Sequence, residues 1–342
     1  MKVICHIGTP KTASTFLQNT CAANRKWLHR HGVLYPDMLQ PIANHMTLFF
    51  ASACYIHDFS RDYGIHTLEQ VEKFRHKLSN HLKAQIHHNY GEIHTVLLSS
   101  ENLTGNIGGQ CGVRNFHDFL VDIFDEIEIV IYLRRQDDSL LSMYGEYLKR
   151  GYAGPKFDEF VEEAIRNRSM VPYIFYKHIL SLWQNCFGAQ RIKVRIFDRK
   201  ELVGGDILID LFDLVFRGDI PDLSELMRTK NDNTGFSAPA LEFLRRIHPY
   251  IPFRENGAPN KTRQRLQGRI DRLPIEPRPR LSAEQSSKIM KYFEADNEWV
   301  RSTFLPDHPA PLFSHRNDQN ASSNLGQLSL DEFAQFTGLL LK

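Results

Sequence analysis

The sequence predicts an α/β fold with a mainly parallel central sheet flanked by helices, followed by a mostly helical C-terminal part. Two observations lead there. Short apolar runs recur along the first two thirds of the chain, continuous enough for strands buried on both faces. Each run is followed by a turn and then a stretch of helical periodicity. Strand–loop–helix units repeated in this way build parallel sheets, with ligands outside the carboxyl ends of the strands.

Residues 2–7 form the first run and end at Gly8. A helix is expected from Ser14 to about Arg25. Residues 95–99 (Thr-Val-Leu-Leu-Ser) and 128–133 (Glu-Ile-Val-Ile-Tyr-Leu) are the next two strands. Asp137 or Asp138 can cap a helix running to about Lys149. Residues 192–197 alternate apolar residues with Lys and Arg, which suits a strand nearer an edge. A helix over 206–216 follows. Beyond Gly218 the pattern is helical and irregular. Residues 254–280 are rich in Arg, Lys, Pro and Gly and read as a surface excursion or lid. Residues 282–304 read as one amphipathic helix, 317–326 as a polar loop, and 338–341 as a short apolar end. The expectation is one domain over 1–342, with an α/β core at 1–220 and an extension at 221–342.

Composition narrows the function. The 342 residues carry 42 Lys+Arg against 40 Asp+Glu, a net charge of +2, so a nucleic-acid-coating surface is not expected. A local basic pocket for a small anion is compatible with this balance. No apolar run approaches the ~18 residues of a membrane helix, and the N-terminus turns polar too soon for a signal peptide. A cytoplasmic protein with no membrane partner is expected. Cys5, Cys21, Cys54, Cys111 and Cys186 are scattered without a CxxC pair, and read as free, buried thiols rather than zinc ligands or disulfides.

The chemistry concentrates in Gly8-Thr9-Pro10-Lys11-Thr12-Ala13-Ser14-Thr15, directly after the first strand and opening a helix. A helix N-terminus carries unpaired N–H groups and partial positive charge, so it attracts phosphate. Lys11 adds a full charge, and the Ser14 and Thr15 hydroxyls add donors. The loop is not a nucleoside triphosphate P-loop, in which the lysine comes late, after a glycine. A tight strand-to-helix turn is the alternative reading.

Pro-Lys-Thr-Ala-Ser-Thr resembles the 5′-phosphosulfate loop of sulfotransferases, which use 3′-phosphoadenosine 5′-phosphosulfate (PAPS). Alanine at 13 replaces the commoner glycine, as in uronyl 2-O-sulfotransferase-like enzymes. The resemblance extends to a second element, an arginine at a strand end followed eight residues later by a serine, here Arg134 and Ser142. It implies a P-loop-like three-layer fold over roughly 1–220. It also implies that Lys11, Thr12, Ala13, Ser14 and Thr15 hold the 5′-phosphosulfate, and that Arg134 and Ser142 hold the 3′-phosphate, with no metal required. Arg135 and Ser139 are possible substitutes, and a salt bridge to Asp137 or Asp138 is the alternative role for Arg134. The glycine-rich G-x-x-G-x-x-K motif of cytosolic members is absent, which points away from their acceptors.

Sulfuryl transfer asks a protein to position groups and to stabilise charge on the leaving oxygen. Lys11 is placed for that role. Two residues are candidates for the general base. Glu101 follows the strand at 95–99, where it is either a base or part of a helical first turn capped by Ser99 or Ser100. His45 lies in a loop-rich region expected to reach over the sheet edge, and is either a base or structural. His6, inside the first strand, reads as packed. The acceptor is a small molecule or glycan. Aromatics at 49–57, and Tyr144–Tyr152 with Lys149 and Arg150, either meet it or serve core and surface roles. Lys261, Arg263 and Arg265 read as lid cations or a solvated basic loop. The competing functions are a small-molecule kinase using ATP–Mg and a non-catalytic nucleotide-binding module.

Overall fold

The computed structural model describes residues 1–40, 42–105, 107–151, 154–229, 235–255, 258–314 and 321–341. They divide into two compact units, each assembled from separate stretches of chain. The first comprises Met1–Arg134, Phe175–Asn231 and Asp296–Phe313; the second comprises Arg135–Ile174, Asp232–Ala295 and Ser314–Lys342.

The first unit is built on a five-stranded parallel sheet. Its strands are β1 (Lys2–His6), β2 (Val33–Leu34), β3 (Thr95–Ser99), β4 (Glu126–Leu133) and β5 (Ile192–Ile196), in the order β2-β3-β1-β4-β5. β1 and β3 are buried along their whole length, as their continuous apolar character requires. β5 alternates buried and half-buried residues, which fits its place at the edge. The other edge strand, β2, is only two residues long and has no readable sequence signal.

Successive strand residues face opposite sides. Ile4, Leu97, Val130 and Tyr132 share a core with Leu17 and Cys21 of α1 (Ser14–Ala23) and with Leu208, Leu211 and Phe212. α1 turns Ser14, Leu17, Gln18 and Cys21 inward, the one-face spacing of a packed helix. The helices Gly109–Val121 and Tyr176–Phe187 join through Phe116, Trp183 and Phe187.

A buried polar network ties this unit together. Asp210 is fully buried and accepts from the Tyr132 hydroxyl at 2.7 Å, from both ends of the Arg195 fork, and from the Val203 N–H at 2.9 Å. Burial and the adjacent Asp210 charge hold the Tyr132 phenol well above its ordinary pKa, so it stays a donor.

Several expected elements are corrected. The helix expected to reach Arg25 stops at Ala23, and a second spans Arg25–Arg30. Asn24 closes the first by donating its side-chain amide to the Thr20 carbonyl at 2.7 Å. The helix over 282–304 is two, Ala283–Tyr292 and Glu294–Phe304, because Phe293 leaves helical geometry. Neither Asp137 nor Asp138 is an N-cap: the helix Gln136–Lys149 begins after Arg135, and both aspartates lie in its first turn.

In the second unit, residues 254–280 are not merely a surface excursion. They contain a small hairpin, Arg254–Glu255 with Ala258–Pro259, and a helix, Lys261–Ile270. Lys261 and Arg265 are exposed, but Arg263 is 1% exposed and donates to the carbonyls of Leu148 and Leu244. Those carbonyls lie in the last turns of the helices Gln136–Lys149 and Ala238–Ile247, where partial negative charge favours a cation. Burial pushes the guanidinium down to about 10. Arg263 is therefore neither a solvated loop residue nor a lid cation. The polar loop at 317–326 lies partly outside the described residues. The apolar end belongs to the helix Leu330–Leu341.

Cys54 and Cys111 form a disulfide, which corrects the reading of five free thiols. The fold brings together positions 57 residues apart, a proximity no local spacing reveals. Cys5 and Cys21 are free and buried. Among the described residues, no helix is long and apolar enough to cross a membrane.

Candidate functional site

The strand order places the site. β1 lies between β3 and β4, so the chain leaves β3 on one side and returns through β4 on the other. The carboxyl ends of strands at such a reversal form a crevice. The loop after β1 and the residue after β4 meet there.

Gly8 has φ +91°, and a Cβ built on it would lie 2.7 Å from Glu101 Cα. Only glycine meets both conditions without displacement. Gly8→Ala is expected to destabilise the unit by about 1–3 kcal/mol and to shift the loop entry. A urea titration combined with anion binding checks this, and a variant of unchanged stability and affinity would refute it.

Beyond Gly8, Lys11 and Ala13 are left-handed, with φ of 66° and 59°. Each such non-glycine residue costs about 1–3 kcal/mol and has to be held by its surroundings. The holding contacts are hydroxyls. Thr9 Oγ1 donates to the Tyr132 carbonyl at 3.0 Å, and Thr12 Oγ1 donates to the Thr9 carbonyl at 2.6 Å. Ser14 Oγ also donates to the Thr9 carbonyl, at 3.3 Å. The Ser14 hydroxyl proton thus points into the loop rather than outward, while Thr15 is exposed.

α1 starts without a cap. Its N-cap residue is Ala13, which makes no side-chain cap hydrogen bond, and no acidic residue lies in its first turn. The left-handed Ala13 followed by helical Ser14 turns successive N–H groups toward one side, an anion-accepting concavity. The helix dipole, the N–H groups of the first turn and Lys11 all favour negative charge at this point.

Arg134 directly follows β4. Its Nη1 donates to the Lys11 carbonyl at 3.0 Å, so it braces the loop at its left-handed residue. Its own main chain is held by the Tyr176 hydroxyl. The ion pair considered for Arg134 belongs instead to Arg135, whose fork binds Asp137 and whose Nη1 also meets the Ser314 carbonyl. Arg135 is thereby committed elsewhere. Ser142 is half-buried on the helix Gln136–Lys149, and Ser139 is buried there. Both stand in the second unit.

The two base candidates separate. Glu101 adjoins Gly8 and precedes a four-residue helix, Asn102–Gly105. Neither expected side-chain cap forms. Ser99 Oγ is bonded to His6 and Gln18, and Ser100 Oγ is buried without a partner. His45 is 1% exposed rather than reaching over the sheet edge. Its ring lies against Tyr35, with centroids 4.4 Å apart, and its Nδ1 accepts the Ser99 N–H at 3.1 Å. Burial, assisted by the Arg25 charge, pushes its pKa down to about 3. His45 is a neutral packed histidine. So is His6, which is fully buried, bonded through Nδ1 to Ser99 Oγ at 2.8 Å, and pushed by burial to about 4.

Phe49 and Phe50 are core residues, whereas Tyr55 is 40% exposed. Tyr144 is buried, Lys149 lies over the Phe236 ring, and Tyr152 lies outside the described residues. Tyr176, which holds the Arg134 main chain, was not read from sequence and carries no local signal.

No protein-family model matches the chain, and no curated protein matches it. Among solved structures it is similar to a sulfotransferase from Alicyclobacillus acidocaldarius, with 16% identity and a TM-score of 0.39, over 70% of this chain and 87% of that one.

Proposed function

We propose that this protein transfers the sulfuryl group of PAPS to an acceptor hydroxyl, on a carbohydrate or related metabolite. The observation that carries the reading is the uncapped N-terminus of α1, with Lys11 in its loop and Arg134 braced against it, at the carboxyl end of the central strand. In this reading the N–H groups of Thr12, Ala13, Ser14 and Thr15 hold the 5′-phosphosulfate. Arg134 directs its remaining donors to the 3′-phosphate, for which a planar guanidinium is well shaped. Ser142 enters by its spacing from Arg134 alone.

The acceptor oxygen attacks sulfur in line as the bond from sulfur to the bridging oxygen breaks. The acceptor proton passes to Glu101, and 3′-phosphoadenosine 5′-phosphate leaves. Lys11 stabilises charge on the bridging oxygen, and the α1 dipole stabilises the departing phosphate.

A thermal-shift titration tests the reading, since a ligand of the native state raises the melting temperature by mass action. 3′-Phosphoadenosine 5′-phosphate is expected to stabilise the protein well beyond 5′-AMP. Stabilisation by ATP–Mg alone would turn the reading toward a kinase. Cofactor binding without turnover on any acceptor would favour a binding module. Arg134→Ala is expected to weaken bisphosphate affinity by about 1.5–3 kcal/mol, the scale of a hydrogen bond to a charged group. Its affinity for 5′-AMP is expected to change much less. Calorimetric titration measures both, and equal losses would remove the 3′-phosphate role.

A further inference from the structure

We infer that Tyr176 is a positioning residue that couples the two phosphate subsites through Arg134. The inference rests on the reading above and adds a residue to it. Tyr176 opens the helix Tyr176–Phe187, 42 residues beyond Arg134. Its hydroxyl donates to the Arg134 carbonyl and accepts the Arg134 N–H at 3.3 Å. One side-chain oxygen therefore meets both polar main-chain groups of one residue, at the point where the chain leaves β4. The Tyr176 ring is 1% exposed and lies near Phe313, so the hydroxyl has a fixed origin.

The consequence runs outward along Arg134. Its side chain is half-buried and bonds the Lys11 carbonyl at 3.0 Å. Lys11 is left-handed, so its carbonyl direction sets how the following N–H groups face the anion. One guanidinium thus braces the 5′ loop while its other donors serve the 3′-phosphate. The 3′-phosphate becomes more than a handle: by fixing Arg134 it also fixes the backbone at Lys11. This is remote binding energy applied at the reacting centre. Without the Tyr176 hydroxyl, Arg134 loses its fixed base and the two subsites act independently.

The test is a double-mutant cycle on the full chain, read by calorimetric titration. Tyr176→Phe is expected to weaken 3′-phosphoadenosine 5′-phosphate binding about 5- to 20-fold and 5′-AMP binding less than two-fold. In an Arg134→Ala background the same change is expected to have no further effect. Equal losses for both ligands, or additive losses in the double variant, would overturn the inference and leave Tyr176 a packing residue. If the unsubstituted protein fails to prefer the bisphosphate over 5′-AMP, the PAPS reading itself falls first. If Tyr176→Phe does not fold, hydrogen exchange of the unsubstituted protein decides. The Arg134 amide is expected to exchange more slowly with the bisphosphate than with 5′-AMP, and equal protection would overturn the inference.

Discussion

Replacing Lys11 with alanine is expected to lower sulfuryl-transfer turnover about 10²- to 10³-fold, the scale on which removal of one preorganised charge-stabilising group acts. The fold should survive. Lys11 is half-buried on the loop, and the contacts that shape this loop include those of Thr9, Thr12 and Ser14 and the Arg134 bond to the Lys11 carbonyl. An alanine retains that carbonyl, though not the charge. Binding should fall less than turnover, because the charge on the bridging oxygen grows only as the bond to sulfur breaks. Single-turnover measurements with PAPS, beside affinity for the bisphosphate product, separate the two. Undiminished turnover would remove Lys11 from the chemistry. A loss confined to affinity would make it a binding group only. Lys11→Arg keeps the charge but alters its reach, and is expected to recover part of the rate.

Asp210→Ala is expected to be the most damaging single change to the first unit, costing about 3–5 kcal/mol. The carboxylate is fully buried and satisfies Arg195, the Tyr132 hydroxyl and the Val203 N–H. Alanine would leave three donors without an acceptor, one of them charged. Against a total stability of about 5–15 kcal/mol, this is a large fraction. Urea denaturation should show a lower midpoint with the slope retained. The loop should feel the change too, since the carbonyl of the same Tyr132 accepts from Thr9. Asp210→Asn keeps the shape but loses the charge, and is expected to fall between. A midpoint unchanged in Asp210→Ala would mean that Arg195 and Tyr132 find other partners at no cost.

The features legible in the sequence are those with local causes. The loop at Lys11 could be read because its strand, turn and helix start are contiguous. The place of Arg134 directly after β4 could be read because it ends an apolar run. β5 could be assigned to an edge because Lys193 and Arg195 alternate with apolar neighbours. The misread residues depend on distant partners. His45 resembled an exposed loop histidine, but Tyr35 and the Ser99 amide enclose it. Arg263 lay in a basic, proline-rich stretch, and its two carbonyl partners are supplied by other helices. Asp210 lay unremarked within the helix over 206–216, because its partners Tyr132 and Arg195 stand on β4 and β5. Pairing of Cys54 with Cys111 required the fold itself.

The central place of β1 also governs the order in which the protein can be made. β1 precedes its sheet partners in the chain, and its contact with β3 at His6 and Ser99 closes over 93 residues, the Thr9 contact with Tyr132 over 123. Pairings between such distant segments form slowly, because a long loop must close before any contact rewards it. A nascent chain that has not yet reached β4 has no wall for the second side of β1 and no carbonyl for Thr9. Until then the apolar segment Lys2–His6 lacks its sheet partners and is exposed to misassociation. The anion loop thus leaves the ribosome well before the segments that give it its shape.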